Sequence, residues 1–249
     1  ELVVDEGTFN ASAEFSVGQN GAGSLTVNGG TLNANGPWLI PGYLAGSTGD
    51  VTVNGGDLNV AGQLYVGFEG DGSLTVTGGV VDVTGHLNVG AQAGSTGDIV
   101  MEGGTVTASA LNFGGEGTQT LDLNGGQLIN NGGFDASPNS TFYIGSGELI
   151  FTPASGASLE DVEGLVSGPN WIYDDWPIIT SNELGVVVTS GPKPPTEPAE
   201  IVGGGLTIVS SNVMRMAISI SSPGEYYYPE STLDLVTGTW ERVPHSDDG

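Results

Sequence analysis

Chemistry in this chain would have to come from carboxylates, because little else of a reactive kind is present. The 249 residues hold 29 acids against three bases, Lys193, Arg215 and Arg242, for a net charge of -26, with two histidines and no cysteine. Glycoside hydrolysis needs two carboxyls converging on one sugar bond, and Asp57 and Asp82 are the pair to weigh. They fall out of phase in the repeat set out below, where Asp82 aligns with Asn59, two residues past Asp57. A polysaccharide lyase would use Lys or Arg as base and charge stabiliser, and none precedes Lys193. His86 is alone until His245, and no Ser-His-Asp set, phosphate loop or zinc spacing occurs. Asp50, Asp71 and Asp98 lie in Gly-rich loops whose oxygens could suit Ca²⁺. Those loops lack the G-G-x-G-x-D spacing of calcium-binding β-rolls, and stacked strands would hold Asp50 and Asp98 ~10 Å apart. No catalytic, cofactor-binding or metal-binding residue is assigned, and a non-enzymatic protein is expected.

Binding needs less than catalysis, and aromatics could supply it. Trp38, Tyr65 and Phe68 could present rings to glycans. Trp171, Tyr173 and Trp176 surround Asp174 and Asp175, and aromatics beside acids can stack on sugars. Such a cluster also makes a packing seam between a solenoid and its cap, which is the preferred reading. Nucleic acid is excluded, because its phosphates demand clustered Lys and Arg. No run of 18 apolar residues exists, so no membrane insertion is expected. Without cysteine there is no disulfide framework.

The elements that would position these groups repeat. Leu25–Gly42, LTVNGGTLNANGPWLIPG, has equivalents beginning at Leu2, Val51, Leu74, Ile99 and Leu121. The second glycine of each Gly pair, or its equivalent, falls at Gly7, Gly30, Gly56, Gly79, Gly104 and Gly126, in steps of 23, 26, 23, 25 and 22 residues. A second glycine landmark closes FSVG at Gly18, LIPG at Gly42, LYVG at Gly67, LNVG at Gly90 and LNFG at Gly114. Between landmarks the apolar residues alternate, as in strands with one buried face. A period this short with three strand-like steps specifies a solenoid. The expectation is an all-β fold, a parallel β-helix of about six coils over 1–151. Leu25, Val51, Leu74, Ile99 and Leu121 should stack in one inward column, and the turn glycines should need positive φ. The residues before the Gly pairs, Asp5, Asn28, Asn54, Thr77, Glu102 and Asn124, can form a polar ladder when stacked in register, and are read as turn residues that satisfy local backbone rather than as a ligand row.

The pattern G-x-L-x-V-x-G-G-x-L…L-x-V-G resembles the repeat of autotransporter passengers and PEP-CTERM-type surface proteins of Gram-negative and related bacteria. The resemblance covers roughly residues 2–130 and implies an exported, surface-displayed solenoid with no particular ligand. Glu1 begins directly on a repeat, which would suit a mature N-terminus and an uncapped first coil. Phe9 and Phe15 could plug that coil or be ordinary core variation. Residues 152–190 should supply a capping helix and strands, with Ser158 and Asp161 at capping-box spacing. GPKPPTEPAE, 191–200, reads as a Pro-rich linker. Residues 201–249 read as a β-sandwich-like module, whose Tyr226–Val243 segment resembles modules that follow such repeats in environmental bacteria. The functional expectation is an extracellular structural protein of the cell surface, joining copies of itself head to tail. The alternative is an adhesin or carbohydrate-binding display module.

Overall fold

Alternating apolar residues, broken every few positions by glycine, fold here as coils of short strands around one core. The computed structural model describes residues 1–192. The chain divides into Glu1–Pro192 and Lys193–Gly249, so the linker beyond Pro192 and the sandwich-like module expected at 201–249 lie outside the described residues.

Coil one is built from β1 (Leu2–Val4), β2 (Thr8–Ala11) and β3 (Phe15–Val17). Coil two follows with β4 (Ala22–Val27), β5 (Thr31–Ala34) and β6 (Trp38–Pro41), and coil three with β7 (Thr48–Val53), β8 (Asp57–Val60) and β9 (Gln63–Val66). In later coils the strands fuse around the corners: β10 (Asp71–Val76) and β11 (Val80–Val89), then β12 (Thr96–Phe113), then β13 (Thr118–Asn130) and β14 (Phe134–Ala136). A seventh, shorter turn is made by β15 (Ser140–Ile144) and β16 (Glu148–Phe151). Each strand pairs in parallel with its counterpart one coil away, as expected of a β-helix.

Three inward columns run along the solenoid. The first holds Leu2, Leu25, Val51, Leu74, Ile99, Leu121, Phe142 and Trp171. The second runs Phe9, Leu32, Leu58, Val81, Val106, Leu128 and Leu149. The third runs Phe15, Leu39, Leu64, Leu87, Leu111 and Phe134. The aliphatic members between the end coils are almost fully buried, each contributing about 1.5–3 kcal/mol against exposure, an upper bound because the unfolded chain is not fully extended. All six turn glycines have φ between 69° and 76°. At Gly56 a Cβ would also overlap the carbonyl oxygen of Gly30, one coil below, so both conformation and space demand glycine there.

One corner departs from the repeat. Gly23, Gly49, Gly72 and Gly97 stack in register, each so close to the neighbouring glycine landmark that a Cβ would overlap backbone. In coil six the position is taken by Gln119, opposite Gly97. The corner has opened enough to swallow the side chain, which is fully buried. Its Nε2 donates to the carbonyls of Gly117 (2.8 Å), Gly90 (3.0 Å) and Gly115 (3.1 Å). Its Oε1 accepts from the hydroxyls of Ser137 (2.8 Å) and Ser140 (3.1 Å). An amide has thus replaced a backbone-to-backbone contact.

Towards the same end the core changes from aliphatic to aromatic. Phe113, Phe134, Phe142, Phe151 and Trp171 pack as one group, with Phe142 and Trp171 stacked at 4.2 Å. Helix α1 (Leu159–Val166) covers it with Val162 and Val166. The helix starts at a capping box, in which Ser158 Oγ accepts from Asp161 N–H and Asp161 accepts from Ser158 N–H. Then β17 (Trp171–Tyr173) adds a last parallel rung on β15. The hairpin of β18 (Trp176–Asn182) and β19 (Gly185–Gly191) docks antiparallel on β16, which ends the parallel stacking. Phe9 and Phe15 do not build a comparable plug: they touch each other at 6.1 Å, Phe15 rests on the core, and Phe9 stays 38% exposed.

Candidate functional site

The outward side chains are organised by the same register, and several rows of them bond to one another along the solenoid. In the row before the Gly pairs, Asn28 Nδ2 donates to Asp5 (2.7 Å), Asn54 Nδ2 to Asn28 (2.8 Å) and Thr77 Oγ1 to Asn54 (2.9 Å). The ladder that stacking allows therefore forms over four coils, these side chains bonding across coils rather than to local backbone. Beyond it the pairing slips, placing Glu102 opposite Gly125. A second ladder, Asn10–Asn33–Asn59, joins the middle strands through 2.8 Å amide bonds. Asn28, Asn54 and Asn33 each accept from the coil above and donate to the coil below, while Asn10 only accepts and Asn59 only donates.

Among the described residues, the acids singled out from the sequence stand apart in the register. Asp82 stands opposite Asn59, and Asp57 opposite Val80. Ser73 separates Asp50 from Asp98 in the register, donating to Asp50 at 2.7 Å. Asp71 lies level with Thr48 and Thr96. Among the described residues no group of three or more His, Cys, Asp or Glu could hold a metal ion. No described helix is long and apolar enough to cross a membrane.

The aromatics near the cap separate into two roles. Trp171 is buried on Phe142, and Tyr173 is half-buried with its hydroxyl donating to the Val166 carbonyl at 3.2 Å. Burial pushes the Tyr173 phenol up to about 12, because the ionised form would lose hydration. These two are packing seam. Trp176, by contrast, is 44% exposed. At the helix start, the hydrogen bonds from Ser158 hold the Asp161 carboxyl below its usual range.

The third face, formed by β3, β6, β9, the second halves of β11 and β12, and β14, is the most varied in surface chemistry. Trp38 is 39% exposed and pairs with Gln63; His86 occupies the level above, one residue before Leu87, which pairs with Leu64. In the adjacent outward column, Tyr65 packs edge-on against Phe68 at 5.3 Å, and Phe68 against Tyr43 at 5.8 Å. Gln63 Oε1 accepts from Tyr65 Oη (2.9 Å) and from Asn88 Nδ2 (3.1 Å). Asn112 Nδ2 then donates to Asn88 Oδ1 (3.1 Å), and Gly114 N–H to Asn112 Oδ1 (2.9 Å). Of the aromatics picked from sequence, Tyr65 and Phe68 belong to one cluster, with Trp38 on the neighbouring column. The amides tying this face together carried no signal beyond their repeat spacing. A scan against protein-family models and searches of curated proteins and of solved structures found no match to this chain.

Proposed function

We propose that the chain is a non-enzymatic structural protein of a bacterial surface, displayed outside the cell, whose copies join head to tail into a fibre or sheath. The observation that carries this reading is the disposition of polar side chains. Rows of Asn, Thr and Asp are tied coil to coil instead of converging on a reacting group, so the surface serves the solenoid's own cohesion. Head-to-tail joining would use the face of coil one, where β1, β2 and β3 pair with β4, β5 and β6 within the described residues and Phe9 and Phe15 leave apolar surface. A heterologous contact there propagates unless its rotation closes a ring. The acidic surface opposes lateral bundling except where salt or divalent cations screen it.

The test compares the full chain with a Phe9→Glu variant and with a variant lacking residues 1–23, by sedimentation and negative-stain electron microscopy with calcium present. Fibres from the full chain that both changes abolish are the expected result. A full chain that stays monomeric at high concentration overturns the fibre and leaves surface display as the role.

A further inference from the structure

The geometry points to the third face as a docking strip for a linear, uncharged polysaccharide, with Trp38 as stacking platform and Gln63 and His86 as hydrogen-bonding groups above it. The inference is independent of whether copies join into fibres. Charge is the first argument. Across the six strand segments of this face Asp135 is the single acid and there is no base, with Glu14 just outside the first strand, although the chain as a whole carries -26. The other two faces turn Asp50, Asp98 and Asp122, or Asp57 and Asp82, outward. An anionic polymer is repelled by such a rod. An uncharged one laid along the third face covers almost no carboxylate that would have to give up its water.

The second argument is a donor already aimed. Gln63 Oε1 is held by two donors, Tyr65 Oη and Asn88 Nδ2. That fixes the amide plane and leaves both hydrogens of Nε2 for an acceptor outside the protein. Asn88 is itself buried and anchored by Asn112, so the orientation is built into the fold rather than adopted on binding. Gln63 pairs with the exposed Trp38 on one side, and on the other the exposed His86 immediately precedes Leu87, the partner of Leu64. A flat apolar ring, a fixed donor and a donor–acceptor ring then follow one another at ~4.8 Å, close to the length of one pyranose unit. Pyranose rings offer an apolar C–H face to an indole and hydroxyls to the polar groups. A run of linked sugars parallel to the solenoid axis meets all three in turn.

The test uses the full chain in native affinity gels cast with hydroxyethyl-cellulose, mixed-linkage β-glucan or galactomannan, and with polygalacturonate as the anionic comparison. The expected result is retardation in at least one neutral gel and none in polygalacturonate. Trp38→Ala should weaken the retardation roughly tenfold, the size of a stacking contact, and Gln63→Ala should weaken it as well. Trp176→Ala, an exposed indole on the cap, should leave it unchanged. Identical circular dichroism and melting of the variants keep the comparison one of binding. No retardation in any neutral gel, retardation in polygalacturonate, or a Trp38→Ala variant that binds as the parent does would each overturn the proposal. So would Trp38-dependent self-association in sedimentation without any gel shift, which would make the strip a contact between copies.

Discussion

Replacing Gln119 by leucine removes every hydrogen bond its side chain makes in the buried corner while keeping its volume. Three carbonyls and two hydroxyls lose a partner, but not all of them at full cost. Nε2 has two hydrogens for three acceptors. Ser137 is half-buried and can turn to water, and Ser140 Oγ can still donate to the Phe113 carbonyl at 2.7 Å. The Gly90 carbonyl keeps the Gly117 N–H at 3.1 Å and Gly115 is half-buried, so the Gly117 carbonyl is the buried group left without its partner. At ~1–3 kcal/mol for a buried group left unpaired, the loss is about 2 kcal/mol. A global melt is a blunt measure of this, because a solenoid can open coil by coil. Hydrogen exchange resolved along the sequence is sharper. Amides of β13 to β15 should lose roughly one to two orders of magnitude of protection, at 1.4 kcal/mol per tenfold, while those of β4 to β9 keep theirs. Gln119→Gly, which reinstates the residue of the four preceding coils, should do no better, because the opened corner then holds a void. Unchanged protection in the leucine variant, or full rescue by glycine, would refute the assignment of this amide as the corner's support.

Two further outcomes follow from the geometry. Gly56→Ala and Gly46→Ala both place a Cβ at positive φ, 69° and 77°, but only Gly56 faces a carbonyl from the coil below, and Gly46 opens onto empty space. Chemical denaturation should show a loss of about 1 kcal/mol at Gly46 and at least ~2–4 kcal/mol at Gly56; equal losses would contradict the stacking. Tyr173 titrates at about 12 in the fold and near ~10 when unfolded. Its contribution is therefore complete below pH 10 and disappears as pH rises through 12, where the unfolded chain has already released the proton. Allowing for its half-exposed position, about 1 kcal/mol should vanish over that window. Tyr173→Phe should flatten this part of the wild-type stability profile, and identical profiles would remove the basis for the shift.

Much of the fold was legible because register and side-chain parity are the same information read twice. Leu25, Val51, Leu74, Ile99 and Leu121 share a phase in the sequence and therefore share a column in space. The turn glycines were legible for the same reason, since a position that needs left-handed backbone needs it once per coil. The Asn10–Asn33–Asn59 ladder was equally present, at the 23- and 26-residue steps of the first turn glycines, but Asp82 and Thr107 follow in that row and blur it. Other features have no periodic signature. Gln119 breaks the repeat, and nothing local says whether a break is a defect or a filled corner. The apolar alternation of β19 is the same whether it docks parallel or antiparallel. Parity alone also misjudges exposure: Trp38 and Ile40 both point outward from β6, yet Ile40 is 2% exposed and Trp38 39%. The alignment of Asp82 with Asn59 rather than Asp57 was legible in the same way, since it follows from the phase of the repeat.

The parallel register also decides how this molecule would answer to force. Backbone hydrogen bonds between successive coils lie along the solenoid axis, so tension on the two ends of the described segment loads the coils in series rather than sharing the load among them. The weakest interface yields first, and the coil it releases shortens the stack by only ~4.8 Å. The freed chain, 22 to 26 residues between turn glycines, can extend by ~3.4 Å per residue, about 80 Å in all. Each yielding event therefore converts a thin slice of stiff material into a long compliant tether. The stacked aromatics and the antiparallel hairpin at the cap should make the slice they hold the last of the described coils to yield.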